Sequence, residues 1–307
     1  MVRAIFPDCT PYMAQFFDAA RLAAVPQLEL HIAQPSPAEV IEAVREATAI
    51  MHFQTRLTAP IITRCPGLRA IVFLGTGVSS WVDLAAAEER RIAVRGVVGY
   101  ADRTVAEHAL TLMLACSRRV AVMDREIREG VWRSEALFEL SGKTLGLIGL
   151  GGIGRELAHI GAAFGLRVIG WNRGPVPPEV PCECCPLDEV LRSADIVSLH
   201  LGLNQETRGI ISRNRLLLMK PNVIFINTAR GALVDEAALV ELLGRQRIAA
   251  AGLDVFAEEP LPDGHPLTLL DNVVLSAHAA WKSPEAARRL VKLGLDALCE
   301  ELAKLND

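Results

Sequence analysis

Short apolar runs alternate with longer segments of helical periodicity along the 307-residue chain. A short run of β-branched and apolar residues suits a strand that is buried on both faces, and apolar residues at every third or fourth position suit a helix packed on a sheet. The alternation therefore predicts βαβ units and parallel sheets, arranged in two successive α/β halves.

In the first half, the apolar runs predict strands at residues 2–6, 28–32, 49–53 and 69–74. Ser36 and Pro37 lie where a helix N-cap and a proline in the first helical turn are expected, and Glu39 can complete a capping box. These residues predict a helix that begins after Ser36 and ends at about Ala47.

The second half begins with a long apolar helix, predicted from Thr104 to about Arg119 with Thr104 and Glu107 as its capping box. Strands are predicted at residues 145–150, 167–171, 195–200, 223–227, 250–255 and 273–277. Ser283 and Pro284 then begin a final helix that runs towards Leu305, and we expect this helix to pack on the first half.

A glycine-rich turn follows the strand predicted at 145–150. Gly149, Gly151 and Gly154 form the pattern G-x-G-x-x-G, and they stand between a strand and a helix, which is the context that a dinucleotide site requires. Such a turn brings backbone N–H groups and the positive end of a helix dipole to a pyrophosphate. The pattern predicts a cofactor site in the second half.

The end of the next strand lacks the acid that usually accompanies this turn. Asn172 stands at the expected position, and Arg173 follows it. An acid there would bind the ribose 2′-hydroxyl and repel a 2′-phosphate, whereas Arg173 can pair with the phosphate. We therefore predict that NADP(H) is favoured over NAD(H); the alternative interpretation is a solvated arginine in a loop.

Composition narrows the classes of protein that the chain can belong to. The net charge of −4 offers no basic excess for nucleic acid, and no uncharged apolar run is long enough to span a bilayer. The N-terminal residues lack the features of a signal peptide, and seven scattered or clustered cysteines suit a reducing compartment. We expect a cytoplasmic protein without a metal, in which the CECC run at 182–185 is a plain loop.

Several longer segments resemble the D-2-hydroxyacid dehydrogenase family. Within that family they most resemble the glyoxylate and hydroxypyruvate reductase branch. The matching segments are residues 74–84, 104–110, 142–158, 194–211, 219–239, 252–260 and 272–281. The resemblance implies two Rossmann-like, doubly wound parallel-sheet domains, one flavodoxin-like and one dinucleotide-binding. It places the substrate domain at residues 1–99 and 282–307, and the NAD(P)-binding domain at residues 100–281.

The resemblance also implies three catalytic residues, Arg230, Glu259 and His278. The planar guanidinium of Arg230 can hold a substrate carboxylate with two hydrogen bonds. His278 can exchange a proton with the substrate near neutral pH, and Glu259 can orient its imidazole. Each residue alone could have a structural role, as an ion pair, a loop end or a turn cap.

Further contacts follow from the same resemblance. For the cofactor they are Thr76, Gly152, Ile153, Leu201, Thr228, Ala229 and Asp254, in addition to the glycine turn, Asn172 and Arg173. For the substrate they are His52, Gly75, Thr76, Gly77 and Trp281, together with Arg230 and His278. A structural histidine remains an alternative for His52, and wall packing remains one for Trp281. His108, beside apolar residues in the first long helix, is interpreted as packing.

The predicted function is NAD(P)H-dependent reduction of a small 2-keto acid, such as glyoxylate or hydroxypyruvate, to the D-2-hydroxy acid. Two alternatives stay open: a dinucleotide-sensing, corepressor-like binding protein of the same fold, and a phosphoglycerate dehydrogenase-like enzyme. The family resemblance implies a homodimer formed through the cofactor domain, with residues 125–140 as part of the contact. Neither nucleic acid nor a membrane is an expected partner.

Overall fold

Two parallel sheets organise the chain, one in each of two units. The computed structural model describes residues 2–134 and 137–306. One unit comprises Met1–Ala101 and Lys282–Asp307, and the other comprises Asp102–Trp281. Among the described residues, no helix combines the length and the apolar character that crossing a membrane requires.

The strands and helices alternate in chain order, as the apolar pattern predicts. The strands are β1 Ala4–Cys9, β2 Leu28–Ile32, β3 Ala49–His52, β4 Ala70–Phe73, β5 Ala93–Gly96, β6 Thr144–Ile148, β7 Arg167–Trp171, β8 Glu183–Cys184, β9 Ile196–Leu199, β10 Ile224–Asn227, β11 Ala250–Leu253 and β12 Val273–Leu275. The helices are α1 Pro11–Ala14, α2 Ala19–Ala23, α3 Pro37–Val44, α4 Ala59–Thr63, α5 Val78–Trp81, α6 Leu84–Glu89, α7 Asp102–Arg118, α8 Val120–Arg128, α9 Gly152–Ala163, α10 Leu187–Ser193, α11 Arg213–Leu218, α12 Glu236–Gly244 and α13 Pro284–Asn306.

The first unit contains a five-stranded parallel sheet in the order β2-β1-β3-β4-β5. This order is that of flavodoxin-like folds. The capping box of α3 forms as predicted, because the Ser36 side chain accepts from the Glu39 N–H and the Glu39 carboxylate accepts from the Ser36 N–H. The C-terminal helix α13 begins where Ser283 Oγ accepts from the Ala286 N–H, and it packs on β3 and β4 of this unit.

The second unit contains a seven-stranded parallel sheet in the order β12-β11-β10-β9-β6-β7-β8. Read from β8, the first six strands follow the order of a dinucleotide-binding fold. Adjacent residues of one strand point to opposite faces, so Ile196 joins a core with α7 and α9 while Val197 joins a second core with α10, α11 and α12. The two sheets confirm the predicted fold class.

Two local predictions need correction, and one further strand was missed. The long helix begins at Asp102 instead of Thr104, so Thr104 and Glu107 lie inside the helix, and Glu107 pairs with Arg103 at 2.8 Å instead of capping. The CECC run is not wholly a loop, because Glu183 and Cys184 form the short edge strand β8 beside β7. Strand β5 was not predicted, since its sequence AVRG mixes one charged residue with small ones.

Candidate active site

The glycine turn connects β6 to α9 with the backbone geometry that the sequence predicts. Gly149 has φ +102°, and a Cβ there would lie 2.6 Å from the carbonyl oxygen of His200. A Cβ at Gly154 would collide with the carbonyl of Gly149, so the helix can pack this closely on the strand only with glycine at 154. Around Gly151, by contrast, there is open space.

These features fit a bound dinucleotide. The open side of Gly151 adjoins the N-terminus of α9, a helix of twelve residues, where unpaired N–H groups can meet phosphate oxygens. Gly152 and Ile153 form the first turn of that helix. Leu201 lies beside the turn, because a Cβ at Gly149 would lie 2.9 Å from a methyl group of Leu201.

Asn172 and Arg173 follow β7 and take different roles. Asn172 Oδ1 accepts from the Leu150 N–H at 3.1 Å, and its amide nitrogen donates to the Gly174 carbonyl at 3.0 Å. Asn172 therefore fastens the end of β7 to the glycine turn. Arg173 is 79% exposed and pairs with Glu206 at 3.0 Å.

His278 and Glu259 form a close pair in the second unit. The His278 Nδ1 lies 2.6 Å from Glu259 Oε2, and Glu259 Oε1 accepts from the Phe256 N–H at 3.0 Å. With its Nδ1–H donated to the carboxylate, the imidazole is left with Nε2 as the nitrogen that can exchange a proton. His278 has φ +48°, a left-handed conformation that residues other than glycine rarely adopt and that often marks functional positions.

The carboxylate of Glu259 is held in its ionised form. Burial by itself would raise its pKa, but the hydrogen bonds from His278 and from the Phe256 N–H outweigh burial, and the charges of His278 and Arg230 act in the same direction. The pKa of Glu259 therefore lies below the ordinary glutamate value. An ionised carboxylate can only accept a hydrogen bond, so the imidazole keeps its proton on Nδ1.

Arg230 follows β10 in a segment that Asn227 holds. Asn227 Oδ1 accepts from the Ala229 N–H at 3.0 Å, and its amide nitrogen donates to the Arg230 carbonyl at 3.0 Å. Arg230 NH1 donates to the Ala229 carbonyl at 2.6 Å. The sequence interpretation missed this role of Asn227, although the strand-ending asparagine before Thr228 was a signal for it.

Asp254 is a fully buried carboxylate directly after β11. Its Oδ1 accepts from Ser276 Oγ at 2.6 Å and from the Ala279 N–H at 2.9 Å, and its Oδ2 accepts from the Ala280 N–H at 2.9 Å. Its backbone carbonyl accepts from the His278 N–H at 2.8 Å. Asp254 therefore holds residues 276–280 in place, and its contact with the cofactor stays a prediction.

His108 does more than pack against apolar residues, so that interpretation is wrong. Its Nε2 lies 2.9 Å from Ser276 Oγ and 3.5 Å from Asp254 Oδ1. The side chain reaches from the middle of α7 to the segment that follows β12. Ser276, a polar residue two positions before His278, was the signal for this contact in the sequence. Local patterns do not reveal the contact, because His108 and Ser276 are 168 positions apart.

Thr228 and Trp281 complete the predicted residues of the second unit. Thr228 is buried, and within the described residues its Oγ1 has no hydrogen-bond partner. A buried hydroxyl in this state has a donor and an acceptor available to a ligand. Trp281 is half-buried at the end of the unit, and its contact with a substrate stays a prediction.

The remaining predicted residues lie in the first unit, after β3 and β4. Gly75 is buried against the ring of Phe73, Thr76 is exposed, and Gly77 is half-buried. His52 is completely buried; its Nδ1 donates to the Thr55 carbonyl at 2.9 Å, and its ring lies 5.1 Å from that of Phe73. Burial lowers the pKa of His52 to about 4, so its imidazole is neutral at physiological pH.

Comparisons with known proteins relate the chain to one family of enzymes. The family profile described as D-isomer specific 2-hydroxyacid dehydrogenase, NAD binding domain, matches residues 110–280. A glyoxylate reductase from Aeropyrum pernix is 36% identical over 312 aligned residues, which cover 97% of this chain and 90% of that protein. A hydroxypyruvate reductase from Thermotoga maritima is 40% identical over 245 residues, which cover 78% of this chain and 80% of that protein.

A solved structure extends the similarity over the whole chain. An acyclic imino acid reductase in complex with NADPH and D-Arg superposes with a TM-score of 0.89 and 28% identity. The superposition covers 98% of this chain and 97% of the other.

Proposed function

Because the chain belongs to the D-isomer specific 2-hydroxyacid dehydrogenase family, we propose that it reduces glyoxylate or hydroxypyruvate, or a 2-keto acid of similar size. The reaction class, NAD(P)H-dependent reduction of a small 2-keto acid by an oxidoreductase, follows from the family and its relatives. The observation that carries the proposal at the site is the pairing of His278 with Glu259 beside the charge of Arg230.

The three side chains divide the chemistry between them. Arg230 binds the substrate carboxylate through its two-pronged guanidinium and stabilises charge on the carbonyl oxygen. His278 donates a proton from Nε2 to that oxygen during reduction, and it accepts the proton in the reverse reaction. Glu259 accepts from Nδ1–H and keeps the imidazole in the required tautomer.

The nicotinamide cofactor supplies the hydride when it is bound. The glycine turn and the N-terminus of α9 would hold its pyrophosphate, with Gly151, Gly152 and Ile153 nearest to the phosphates. Thr228, Ala229 and Asp254 are proposed neighbours of the nicotinamide end. The Thr228 hydroxyl, which has no hydrogen-bond partner among the residues that the structure describes, supports this assignment.

We also propose that NADPH is preferred over NADH. The support is chemical: Asn172 carries no charge that would repel a 2′-phosphate, and Arg173 is exposed and pairs with a carboxylate that is also exposed. The imino acid reductase with NADPH shows that this architecture accommodates that cofactor in a relative.

In the first unit, we propose that Gly75, Thr76 and Gly77 offer backbone N–H groups to the substrate carboxylate. His52 and Trp281 are proposed as residues that shape the substrate pocket. His52 could act only as a neutral hydrogen-bonding or packing group, because its pKa lies near 4. We propose that the unit Met1–Ala101 and Lys282–Asp307 is the substrate domain, which the sequence predicted as residues 1–99 and 282–307. The unit Asp102–Trp281 is then the cofactor domain, which the sequence predicted as residues 100–281.

We also propose that the protein is a homodimer and that it is located in the cytoplasm. Trp132 is 88% exposed and Ile127 is 57% exposed, and two large apolar side chains exposed in one segment suit a subunit contact in residues 125–140. Residues 135 and 136 of that segment lie outside the described residues. The cysteines, all unpaired in the described chain, suit a reducing compartment. Light scattering that found a monomer would contradict the dimer.

The decisive experiment measures oxidation of NADH and NADPH, side by side, with a panel of 2-keto acids. The proposal expects turnover with glyoxylate and hydroxypyruvate, and a higher kcat/KM with NADPH. Turnover confined to 3-phosphohydroxypyruvate would indicate the phosphoglycerate dehydrogenase-like alternative. Tight cofactor binding without turnover of any panel member would indicate the sensor alternative; the relatives named above favour neither.

A further inference from the structure

Three side chains form a hydrogen-bonded chain from α7 to the turn that carries His278. His108 Nε2 lies 2.9 Å from Ser276 Oγ, and Ser276 Oγ lies 2.6 Å from Asp254 Oδ1. The two ends of this hydrogen-bonded series are also close to each other, since His108 Nε2 lies 3.5 Å from the same carboxylate oxygen. Asp254 is completely buried, and the His108 side chain is 24% exposed.

The donors and acceptors of this chain can be assigned from its chemistry. Asp254 Oδ1 also accepts from the Ala279 N–H, so the carboxylate acts as an acceptor. A separation of 2.6 Å is typical of a hydroxyl that donates to a carboxylate. The single proton of Ser276 Oγ is therefore directed to Asp254, and Ser276 must accept from His108. The tautomer of His108 that satisfies both bonds carries its proton on Nε2.

The Asp254 end of this series of hydrogen bonds determines the position of His278. The carboxylate binds the N–H groups of Ala279 and Ala280, and the Asp254 carbonyl binds the N–H of His278. These bonds hold His278 at φ +48°, from which its imidazole reaches Glu259. Rotation of the buried carboxylate would disturb bonds on both sides of His278, so a group that fixes the carboxylate also fixes the imidazole.

We propose that His108 is a positioning residue for the reduction, acting through Ser276 on the Asp254 carboxylate and so on the placement of His278. The proposal rests on the proposed function. His108 does not touch the reacting atoms in this assignment. It supplies the outer donor that directs the Ser276 hydroxyl to Asp254.

Two variants of His108 test the donor role directly. His108→Leu removes the donor, whereas His108→Gln places an amide N–H where Nε2–H was. We expect kcat to fall about five- to tenfold in His108→Leu, the effect of one lost hydrogen bond, and to recover to within about threefold in His108→Gln. KM for the keto acid should change less than about twofold, because Arg230 is untouched. His159→Leu, at an exposed histidine of α9, is the matched control.

A double-mutant cycle tests whether His108 acts through Ser276. Ser276→Ala removes a bond to a charged group and should lower kcat about ten- to a hundredfold. If the two residues act in series, His108→Leu should cause no further loss in the Ser276→Ala background. Fully multiplicative losses, a His108→Leu variant with wild-type kcat, or a His108→Gln variant as impaired as His108→Leu would each overturn the proposal.

A spectroscopic measurement separates this proposal from the proposed function. In protein labelled with carbon-13 at histidine, the His278 imidazole signal can be assigned by its absence from His278→Asn. We expect the signal to shift in His108→Leu and to return in His108→Gln. If the wild type reduces no 2-keto acid while the signal behaves in this way, the function fails and the positioning role stands. An unchanged signal in His108→Leu overturns the positioning role, whatever the wild-type activity.

Discussion

His52 and His278 stand at strand ends in different units, and they differ in what binds Nδ1. His52 is the last residue of β3, is completely buried, and donates to the neutral carbonyl of Thr55. His278 follows β12, its side chain is 38% exposed, and it donates to the ionised carboxylate of Glu259. The two residues are chemically identical, yet their surroundings prepare them for different tasks.

Burial and the Nδ1 partner explain the difference. Burial lowers the pKa of His52 to about 4, and the charge of Asp8 and the hydrogen bond to Thr55 offset burial only in part. Its Nε2 is buried and has no hydrogen-bond partner within the described part of the chain. His278 keeps an accessible imidazole with a fixed tautomer. The partner and the exposure of a histidine, more than its place at a strand end, therefore determine whether it can move protons.

Loss of the His278 imidazole should impair the enzyme more than any other change considered below. In His278→Ala, kcat should fall about 10²- to 10⁴-fold, because no group replaces the proton donor. Isothermal titration should show that NADPH binding is retained, since the glycine turn is unchanged. His278→Asn is the matched variant, because asparagine tolerates the left-handed backbone at φ +48°. A kcat near that of the wild type in either variant would remove His278 from the mechanism.

His52 should make the free energy of unfolding decrease as the pH falls. Its pKa is about 4 in the folded protein and 6.5 ordinarily, so the unfolded chain binds the proton more tightly. The contribution of His52 to stability is therefore complete above pH 6.5 and declines as the pH falls towards 4. A tenfold difference in proton affinity corresponds to about 1.4 kcal/mol, and the total decline is about 3 kcal/mol.

Urea unfolding between pH 7 and pH 4 measures this decline. His52→Asn keeps a donor for the Thr55 carbonyl but cannot be protonated, so its free energy of unfolding should depend less steeply on pH than that of the wild type. Since all other titrating groups are common to the two proteins, the difference between their slopes reports His52. Parallel curves would show that His52 is not held neutral by the fold.

Arg230 differs from the two histidines in that its proposed partner is the substrate carboxylate. Lysine keeps the charge but loses the planar pair of donors. In Arg230→Lys, KM for the keto acid should rise about 10- to 100-fold, the effect of losing a charge-assisted hydrogen bond. Steady-state kinetics at saturating cofactor gives this value. Unchanged KM and kcat would show that Arg230 does not anchor the substrate.

The smallest expected effect belongs to Arg173, which is the most exposed of these residues and pairs with Glu206. In Arg173→Ala, KM for NADPH should rise about five- to tenfold, while KM for NADH should change little, because only NADPH carries the 2′-phosphate. Parallel titrations with the two cofactors measure the ratio. An equal change for both cofactors, or a wild type that prefers NADH, would refute the assigned role of Arg173.

The sequence predicted the fold and the glycine turn of the second unit because those signals are local or repeated. Apolar runs identify β6, β7, β9 and β10, and the glycine spacing identifies the turn before α9. The pair of His278 and Glu259 followed from the family resemblance, since 19 residues of chain separate the two side chains. Its 2.6 Å distance and the left-handed backbone of His278 are visible only in the structure.

Other features could not be predicted, for identifiable reasons. Strand β8 has two residues and little apolar pattern, so it forms only because β7 offers it an edge. The start of α7 at Asp102 overrides the capping box that Thr104 and Glu107 suggest. The role of His108 depends on a contact with Ser276, 168 residues away, which periodicity does not encode.

The ion pair between Arg173 and Glu206 has a consequence for how salt affects the protein. Under the NADPH proposal, the carboxylate of Glu206 is an internal competitor that a 2′-phosphate must displace from the guanidinium. Added salt weakens the phosphate contact, but it also weakens the 3.0 Å pair that opposes it, because both partners are about three-quarters exposed. Because Glu206 pairs with Arg173, the affinity for NADPH should depend less on ionic strength than it would if Arg173 had no ion-pair partner.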